Sequence, residues 1–475
     1  MNSQNKDKIE ELVEIQYLNF EDPFKTTSGQ ILENIQVAYE TYGKLNSNKD
    51  NAILVIHALT GDAHAAGYHD KDDPRPGWWD PMIGPEKALD TNKYFIICTN
   101  NLGGCSGTTG PTSVNPSSGK TYGMDFPVVT VEDTVRLQMK TLETLGIKGL
   151  KTVIGGSLAG MQTLEWGIRY SNFCESIIPV AAAACLNPMG IAWNKIGRHA
   201  IMTDQNWNDG NYSKSKNPFK GLMTARMIAH ITYLSNRIMW EKFGRRTKEN
   251  ENLLEDVNAR YEVERYLDYQ GEKFSNRFDA NSYIYLSRMM DLYDIKSNST
   301  SLKNALETLD TNCCLISFIS DWLFPTECST EIAETLQKIQ KKVELHTVES
   351  TYGHDAFLVQ YDKLTQIVQN FLERVEKKDE IGIHGFKIPS KTKRFVLTFP
   401  SNQVSLPVLW ELGKKFELEV NIIRGEVNTN SGWQVCEFKG DDEEIQSVIN
   451  YLRDRGIWVD EGGYGKIDHD RAEVV

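Results

Sequence analysis

The feature of this sequence that most restricts its fold is an alternation of short, β-branched apolar runs with longer runs whose apolar residues recur at helical spacing. Strands are predicted at residues 35–42, 51–57, 93–99, 151–155 and 176–182. Helices are predicted at residues 131–145 and 157–170. Strand–helix–strand units of this kind favour a mainly parallel sheet that is covered by helices on both faces.

The alternation is interrupted between about residues 187 and 309, a stretch rich in Met, Trp, Tyr and Arg that contains no convincing strand. We interpret this segment as an inserted helical lid over the carboxyl edge of the sheet. The earlier pattern then resumes, with strands predicted at residues 313–319 and 343–348 and helices at 329–341 and 356–378. Residues 1–378 are therefore expected to form one α/β domain.

A second, smaller pattern follows a polar stretch at residues 379–390, which is predicted to be a linker. Over residues 391–465 the predicted order is strand, helix, strand, strand, helix, strand. This βαββαβ order is typical of the ferredoxin-like arrangement. A chain of 475 residues exceeds what one hydrophobic core usually serves, so its length predicts two or three units.

The composition argues against several classes of partner. A net charge of −13 disfavours nucleic acid and anionic membranes, and any anionic ligand must be held by local donors. The polar N-terminus does not resemble a secretion signal, and the longest apolar stretch, residues 176–186, is too short to span a membrane. None of the eight cysteines has the spacing of a zinc or redox motif, so we expect free thiols, no bound metal and a cytoplasmic location.

The sequence GGSLAG at residues 155–160 lies between a predicted buried strand and a predicted helix. A serine on such a tight strand-to-helix turn is exposed at the carboxyl edge of the sheet, where it can act as a nucleophile. Ser157 is therefore the candidate nucleophile. The alternative is a glycine-rich turn whose serine only caps the helix.

Two later motifs supply the base that a serine nucleophile needs. Asp321 follows the predicted strand at 313–319, and His354 follows the predicted strand at 343–348. The chain order serine, aspartate, histidine is that of the α/β-hydrolase fold, which becomes the predicted fold of the first domain. In this triad His354 would take the proton of Ser157, and Asp321 would hold the imidazole in place.

The negative charge that develops on the reacting carbonyl would need two backbone N–H donors. The fold predicts one at Leu158, directly after the nucleophile, and the other at Leu59, in the turn after the strand at 51–57. The triad leaves the acyl acceptor open, because water would make the protein an esterase and an alcohol would make it an acyltransferase. A binding scaffold without catalysis would need a broken triad, and the sequence shows none.

Further motifs occur in order along the first domain: YETYG at 39–43, HALTGDAH at 57–64, GWWD at 77–80, NLGGC at 101–105 and GTTGP at 107–111. Together with the triad they resemble the homoserine O-acetyltransferases, over about residues 10 to 375. The resemblance implies a ping-pong reaction in which acetyl-CoA, a co-substrate, acylates Ser157 and L-homoserine accepts the acetyl group. It also implies a homodimer joined through the lid, and no bound cofactor.

The resemblance extends to candidate substrate contacts. Arg226 and Tyr233 match the family's substrate-recognition segment, and residues seven apart on a helix share a face. Arg226 would pair with the homoserine carboxylate, since a guanidinium binds a carboxylate bidentately, and Asp355 would hold the ammonium. The family usually has GGSMGG where this chain has GGSLAG. L-Serine as acceptor and succinyl-CoA as donor therefore stay open as alternatives.

The second domain contains LTFP at 397–400, PVL at 407–409, VNII at 420–423 and YLR at 451–453. These motifs resemble the NIL domain that ends the ATPase subunit of methionine transporters. The resemblance implies that methionine or a related effector binds here and lowers acyl transfer. The alternative is a module for dimerisation or stability.

Overall fold

The structure is a computed structural model that describes residues 12–461, except for 249–253, 255, 298, 379–380, 382–390, 401–402, 404–405, 417, 428–431 and 441. The chain divides into two units, residues 1–384 and 385–475. The predicted linker at 379–390 lies outside the described residues except for Ile381, which is buried in the core of the first unit.

An eight-stranded sheet forms the centre of the first unit. Its strands are β1 (Gln16–Phe20), β2 (Ile35–Tyr42), β3 (Ala52–Ile56), β4 (Phe95–Thr99), β5 (Leu150–Gly156), β6 (Ser176–Val180), β7 (Asn312–Phe318) and β8 (Val343–Val348). They lie in the order β1-β2-β4-β3-β5-β6-β7-β8. The β1–β2 and β2–β4 pairs are antiparallel, and the five other neighbouring pairs are parallel. The prediction of a mainly parallel sheet is confirmed.

The central strands are apolar because helices cover both faces of the sheet. Every residue of β3 and β6 is buried. The helices of the first unit, in its described part, are α1 (Val131–Thr144), α2 (Leu158–Arg169), α3 (Pro188–Met202), α4 (Phe219–Tyr233), α5 (Asn236–Phe243), α6 (Glu262–Ser275), α7 (Ala280–Leu292), α8 (Leu302–Leu306), α9 (Thr326–Lys338) and α10 (Tyr361–Lys377). Helices α3 to α8 lie in the segment that we predicted to be a lid, and the sheet takes no strand from its described residues.

None of the helices in the described part of the chain combines the length and the apolar character that crossing a membrane would require.

One predicted helix differs from the structure, and one strand of the structure was not predicted. The single helix expected at 356–378 is a 3₁₀ turn at Gly353–Leu358 followed by α10. Gly353 has φ 70°, and a Cβ there would lie 2.6 Å from the backbone of the lid, so the chain must turn tightly before the helix can begin. Strand β1 was not predicted, because this edge strand is largely exposed and lacks an apolar pattern.

The second unit contains β9 (Lys391–Phe399), α11 (Val408–Lys415), β10 (Glu419–Val427), β11 (Gly432–Gly440), α12 (Asp442–Asp454) and β12 (Trp458–Glu461). Its four strands form an antiparallel sheet in the order β10-β11-β9-β12. A core that includes Phe395, Phe438 and Leu452 joins sheet and helices. The ferredoxin-like prediction is confirmed.

Candidate active site

Ser157 lies in the tight turn between β5 and α2, where its backbone has φ 63° and ψ −124°. A non-glycine residue at positive φ is strained, and such strain is found where a turn must present a catalytic group. The Ser157 N–H donates to the carbonyl of Val180 at 3.0 Å, so strand β6 supports the turn. Ser157 is 7% exposed and lines a small cavity of about 30 Å³.

The turn depends on glycines whose surroundings leave no room for a side chain. A Cβ on Gly155 would lie 2.6 Å from Ala159 Cβ, and a Cβ on Gly156 would lie 2.5 Å from the Phe357 ring. Ala159, where the family usually has glycine, fits because Gly155 opposite it has no side chain. The departure from the usual motif therefore leaves the turn intact.

His354 and Asp321 form a buried pair after two neighbouring strands, β8 and β7. His354 Nδ1 donates to Asp321 Oδ2 at 2.7 Å. The other carboxylate oxygen, Oδ1, accepts from the N–H groups of Leu323 at 3.0 Å and Phe324 at 2.9 Å. Because a carboxylate only accepts, the imidazole proton lies on Nδ1 and leaves Nε2 as an acceptor.

His354 Nε2 is buried and has no hydrogen-bond partner among the described residues. Three rings surround the imidazole, with centroid separations of 5.1 Å to Phe324, 5.6 Å to Phe357 and 6.1 Å to Tyr233. Tyr233 also lines the cavity of Ser157. The structure thus brings the three triad residues into one region without a direct Ser157–His354 bond. Such bonds often form only in the substrate complex, so the relay stays a prediction.

The two predicted oxyanion donors lie next to the nucleophile. Leu158 is the first residue of α2, and the first N–H groups of a helix have no partner within it. Leu59 lines the same small cavity as Ser157. Their roles as donors stay predictions.

The sequence analysis missed a buried chain of hydrogen bonds that connects α2 with His57, at the start of the turn that contains Leu59. His57 Nε2 accepts from the Asn101 N–H at 3.0 Å, and burial lowers the pKa of His57, which keeps this nitrogen free to accept. Asn101 Oδ1 accepts from Gln162 Nε2 at 3.1 Å. Gln162 Oε1 accepts from Gln138 Nε2 at 2.9 Å, and Gln138 Oε1 accepts from Trp166 Nε1 at 2.7 Å. Since Gln162 and Trp166 lie on α2, these hydrogen bonds connect His57, at the end of β3, with the helix that begins at Leu158.

Arg226 and Tyr233 lie on α4 of the lid. The Arg226 guanidinium lies 5.5 Å from the ring centroid of Tyr233 and 4.8 Å from that of Phe274. The Tyr233 ring itself lies 6.1 Å from the imidazole of His354, measured between ring centroids. Arg226 Nη1 donates to Thr60 Oγ1 at 3.2 Å, whereas its buried Nε has no partner in the described part of the chain. The lid thus brings a guanidinium with a free donor near His354, the candidate base, as carboxylate binding requires.

Asp355 follows His354 in the 3₁₀ turn and is partly buried. Desolvation raises the pKa of the Asp355 carboxyl, while the positive charges of Arg226 and Lys242 act in the opposite direction. The carboxyl and the Arg226 guanidinium are therefore close enough to interact. A free amino acid carries an ammonium and a carboxylate, and these two side chains offer one opposite charge to each.

Comparisons with known proteins agree with this geometry. A family model described as alpha/beta hydrolase fold matches residues 51–361, and one described as NIL domain matches residues 393–461. The homoserine O-acetyltransferase of Deferribacter desulfuricans is 50% identical over 367 residues, which are 77% of this chain and 97% of that protein. The chain belongs to the homoserine O-acetyltransferase family. The homoserine O-acetyltransferase of Methanosphaera stadtmanae is 46% identical over 461 residues, 94% of this chain and 93% of that protein.

Two solved structures show what else shares the fold of this homoserine O-acetyltransferase family member. The homoserine O-acetyltransferase from Bacillus anthracis is 31% identical with a TM-score of 0.72, over 77% of this chain and 98% of that chain. Esterase E22 is 32% identical with a TM-score of 0.71, over 76% of this chain and 100% of that chain. The α/β-hydrolase prediction is confirmed. The fold alone does not choose between an alcohol and water as the acyl acceptor.

A second group of residues that the sequence analysis missed holds His64 and His69, which follow the turn after β3. Glu40 on β2 is fully buried and accepts from His69 Nε2 at 2.8 Å, His64 Nδ1 at 3.0 Å and the Tyr42 hydroxyl at 2.9 Å. Burial acts to raise the pKa of Glu40, but the hydrogen bonds from both histidines bring that pKa below its usual value. The sequence signal for this cluster was a glutamate that follows the apolar residues 37–39 in a predicted strand.

Among the residues that the structure describes, two groups of side chains have donor atoms that could hold a metal ion, namely Glu40 with His64 and His69, and Cys314 with Glu344 and His346. In the first group the carboxylate already accepts hydrogen bonds from both imidazoles. In the second group Arg374 Nη2 pairs with Glu344 at 2.6 Å and supplies a positive charge. The sequence-based expectation of no bound metal stays a prediction.

Proposed function

We propose that this protein transfers an acetyl group from acetyl-CoA to the side-chain hydroxyl of L-homoserine through an acyl-Ser157 intermediate. The observation that carries the proposal is the pair of opposite charges, Arg226 and Asp355, beside the Asp321–His354 pair. A hydrolase that uses water needs no site matched to both charges of an amino acid. Identity over most of the chain to proteins named homoserine O-acetyltransferase supports the same donor and acceptor.

In the first half-reaction, His354 Nε2 takes the proton of Ser157 as the hydroxyl oxygen attacks the thioester carbonyl. The tetrahedral oxyanion receives hydrogen bonds from the Leu59 and Leu158 N–H groups, and one such donor contributes about 3–4 kcal/mol. The C–S bond then breaks, and the CoA thiolate leaves with the proton carried by His354. Asp321 stabilises the transient imidazolium through Nδ1.

In the second half-reaction, the homoserine hydroxyl replaces the departed thiol. The Arg226 guanidinium binds the carboxylate of the acceptor, and Asp355 binds its ammonium. His354 takes the hydroxyl proton, the alkoxide oxygen attacks the acetyl-Ser157 carbonyl, and the proton returns to Ser157 as the ester product leaves. Because Arg226 and Asp355 hold the two charged groups of the acceptor, its hydroxyl is oriented toward the acyl group. This orientation gives the acceptor an advantage over water.

The cavity at Ser157 favours a small, uncharged acyl group. Its lining is mainly apolar, with Ile228, Ala229, Met290 and Leu323 among the side chains, and includes no lysine or arginine. A succinyl group carries a carboxylate that would need a cation there. This supports an acetyl donor over a succinyl donor. L-Serine differs from L-homoserine by one methylene, and the acceptor experiment below separates the two.

The deciding experiment is acylation with p-nitrophenyl acetate in the presence of candidate acceptors. If the protein is a transferase, L-homoserine should accelerate p-nitrophenol release in a saturable manner, more than L-serine does, with formation of the O-acetyl amino acid. The same screen with acetyl-CoA and succinyl-CoA, followed by thiol release, identifies the donor. An esterase, to which the likeness with esterase E22 points, would release acetate at a rate that homoserine leaves unchanged.

The matched variant for this experiment is Arg226→Gln. Loss of a hydrogen bond to a charged group should raise KM for L-homoserine by roughly 10- to 100-fold. L-Homoserinol, which lacks the carboxylate, is the control acceptor, and its rate should change far less. Equal losses with both acceptors would show that Arg226 does not bind the carboxylate.

We also propose that the second unit binds methionine or a related effector. The match of residues 393–461 to the NIL-domain model supports this proposal. A cavity of about 190 Å³ there is lined by Phe399, Leu406, Val408, Trp410, Gly432 and Gln434. Apolar walls with one amide suit an unbranched thioether side chain.

For the full chain, methionine should lower homoserine-dependent CoA release and give a saturable heat in calorimetry. Trp410→Ala should weaken both effects, because Trp410 lines the cavity. Trp458→Ala is the matched control, since Trp458 is 74% exposed on β12 and does not line it. If methionine produces neither heat nor inhibition, the unit serves dimerisation or stability instead.

A cytoplasmic location and a homodimer joined through the lid stay predictions. All eight cysteines are free thiols, as is usual for proteins of a reducing compartment. The exposed Trp240 on α5, at 65%, is an apolar surface that a second copy could cover.

A further inference from the structure

Two arginines converge on Thr60, the residue after the predicted oxyanion donor of the β3 turn. Arg226 Nη1 donates to Thr60 Oγ1 at 3.2 Å, and Arg277 Nη2 donates to the Thr60 carbonyl oxygen at 3.1 Å. Both guanidiniums lie against the Phe274 ring, at 4.8 Å and 5.3 Å from its centroid. Two positive charges therefore share one small region at the junction of lid and core.

Further basic groups surround this pair. Desolvation lowers the pKa of Lys273, and so does the positive charge of Arg75, Arg277 and Arg226. In the described part of the chain, none of these four side chains forms an ion pair with a carboxylate. Asp355 interacts with Arg226 and Asp62 acts electrostatically on Arg277, but neither carboxylate forms an ion pair with the arginine. Basic side chains without an ion pair near a candidate substrate site are suited to an anionic ligand.

A cavity of about 740 Å³ opens beside Arg277. Lys214, Tyr212 and Asn276 also line it, and they add a second exposed cation and several hydrogen-bond donors. One carboxylate, Asp279, lies in the wall, but it accepts hydrogen bonds from the Tyr212 hydroxyl at 2.7 Å and from the start of α7. The volume is in the range of sites for cofactor-sized molecules, whereas the cavity of about 30 Å³ at Ser157 has room only for the reacting group.

Thr60 accepts a hydrogen bond from an arginine near each of the two cavities. Arg226, on one side, contacts Tyr233, which lines the cavity of the nucleophile. Arg277, on the other side, lines the large polar cavity. A ligand with a long, flexible arm could place its reactive end at Ser157 and its anionic end among the cations.

We infer that Arg277, Lys273 and Lys214 bind the phosphate groups of the acyl-CoA donor, with the nucleotide end in the large cavity and the thioester at Ser157. This inference rests on the proposed function. CoA carries a pyrophosphate and a 3′-phosphate, joined to the thiol through the pantetheine arm. Guanidinium and ammonium groups are the usual partners of phosphate, and an acidic protein must hold such a donor by local cations.

The test compares acetyl-CoA with S-acetylpantetheine, which carries the same thioester but no phosphate. For Arg277→Gln we expect kcat/KM with acetyl-CoA to fall by about tenfold or more, mainly through KM, with a much smaller change for S-acetylpantetheine. Lys273→Gln, which removes a cation that donates no hydrogen bond to the described chain, should give the same pattern. Arg237→Gln is the matched control, because Arg237 is an exposed lid arginine paired with Glu241.

Equal losses with the two donors would overturn the inference, since Arg277 would then act only by holding Thr60. An increase in KM for L-homoserine instead of acetyl-CoA would also overturn it, because the cations would then serve the acceptor. Should the wild type fail to acetylate homoserine, the proposed function fails, and calorimetry with CoA and pantetheine still tests the site. The site is supported if the wild type binds CoA more tightly than pantetheine and Arg277→Gln loses this preference. Equal affinities of the wild type for CoA and pantetheine would contradict it.

Discussion

Replacing Ser157 by alanine should lower the rate of CoA release from acetyl-CoA by about 10⁶-fold, as expected when the nucleophile of a serine triad is removed. The reason is that the proposed reaction proceeds through an ester on this oxygen, which alanine lacks. The measurement is thiol release together with the intact mass of the protein, which should gain one acetyl group in the wild type and none in the variant.

The variant should keep its fold, because alanine at φ 63° carries about the same backbone strain as serine. Ser329→Ala is the matched control, since Ser329 is a buried serine whose hydroxyl donates to the Ala182 carbonyl. We expect near wild-type thiol release from it. Acetylation of the Ser157→Ala protein at wild-type rates would place the nucleophile elsewhere.

Asp321→Asn should lower kcat by about 10⁴-fold while leaving the shape of the site unchanged. Asp321 Oδ1 accepts from the Leu323 and Phe324 N–H groups, so the asparagine oxygen must occupy that position. The amide nitrogen then faces His354 Nδ1 in place of Oδ2. Because that nitrogen donates, His354 must carry its own proton on Nε2, where it can no longer accept the Ser157 proton. The kcat for acyl transfer and the burst of p-nitrophenol release measure this effect.

Asp355→Asn provides the control for the aspartate substitution. It removes a carboxylate one residue from His354 without altering the Asp321–His354 contact, so acylation by p-nitrophenyl acetate should persist while KM for homoserine rises. A loss of less than tenfold in Asp321→Asn would contradict the assigned role of Asp321. A burst lost equally in both variants would point to a general disturbance of the turn.

Much of the architecture could be predicted because local patterns report it directly. Buried parallel strands consist almost entirely of apolar residues, and β3, β6 and β7 are recognisable in the sequence for that reason. Residues that follow such strands meet at one edge of a parallel sheet, which is why Ser157, Asp321 and His354 could be proposed as a group. The edge strand β1 and the 3₁₀ turn at Gly353 carry no such pattern and were missed.

What the sequence by itself determined is therefore the order of strands and helices, the family and the three candidate catalytic residues, since each follows from a local pattern or a motif. Only the tertiary structure decided the contacts between distant segments. The hydrogen-bond chain from His57 to Trp166, the Glu40 cluster and the meeting of Arg226 and Arg277 at Thr60 join residues far apart in the chain. Periodicity describes only which face of an element is buried, and these polar contacts depend on which elements pack together.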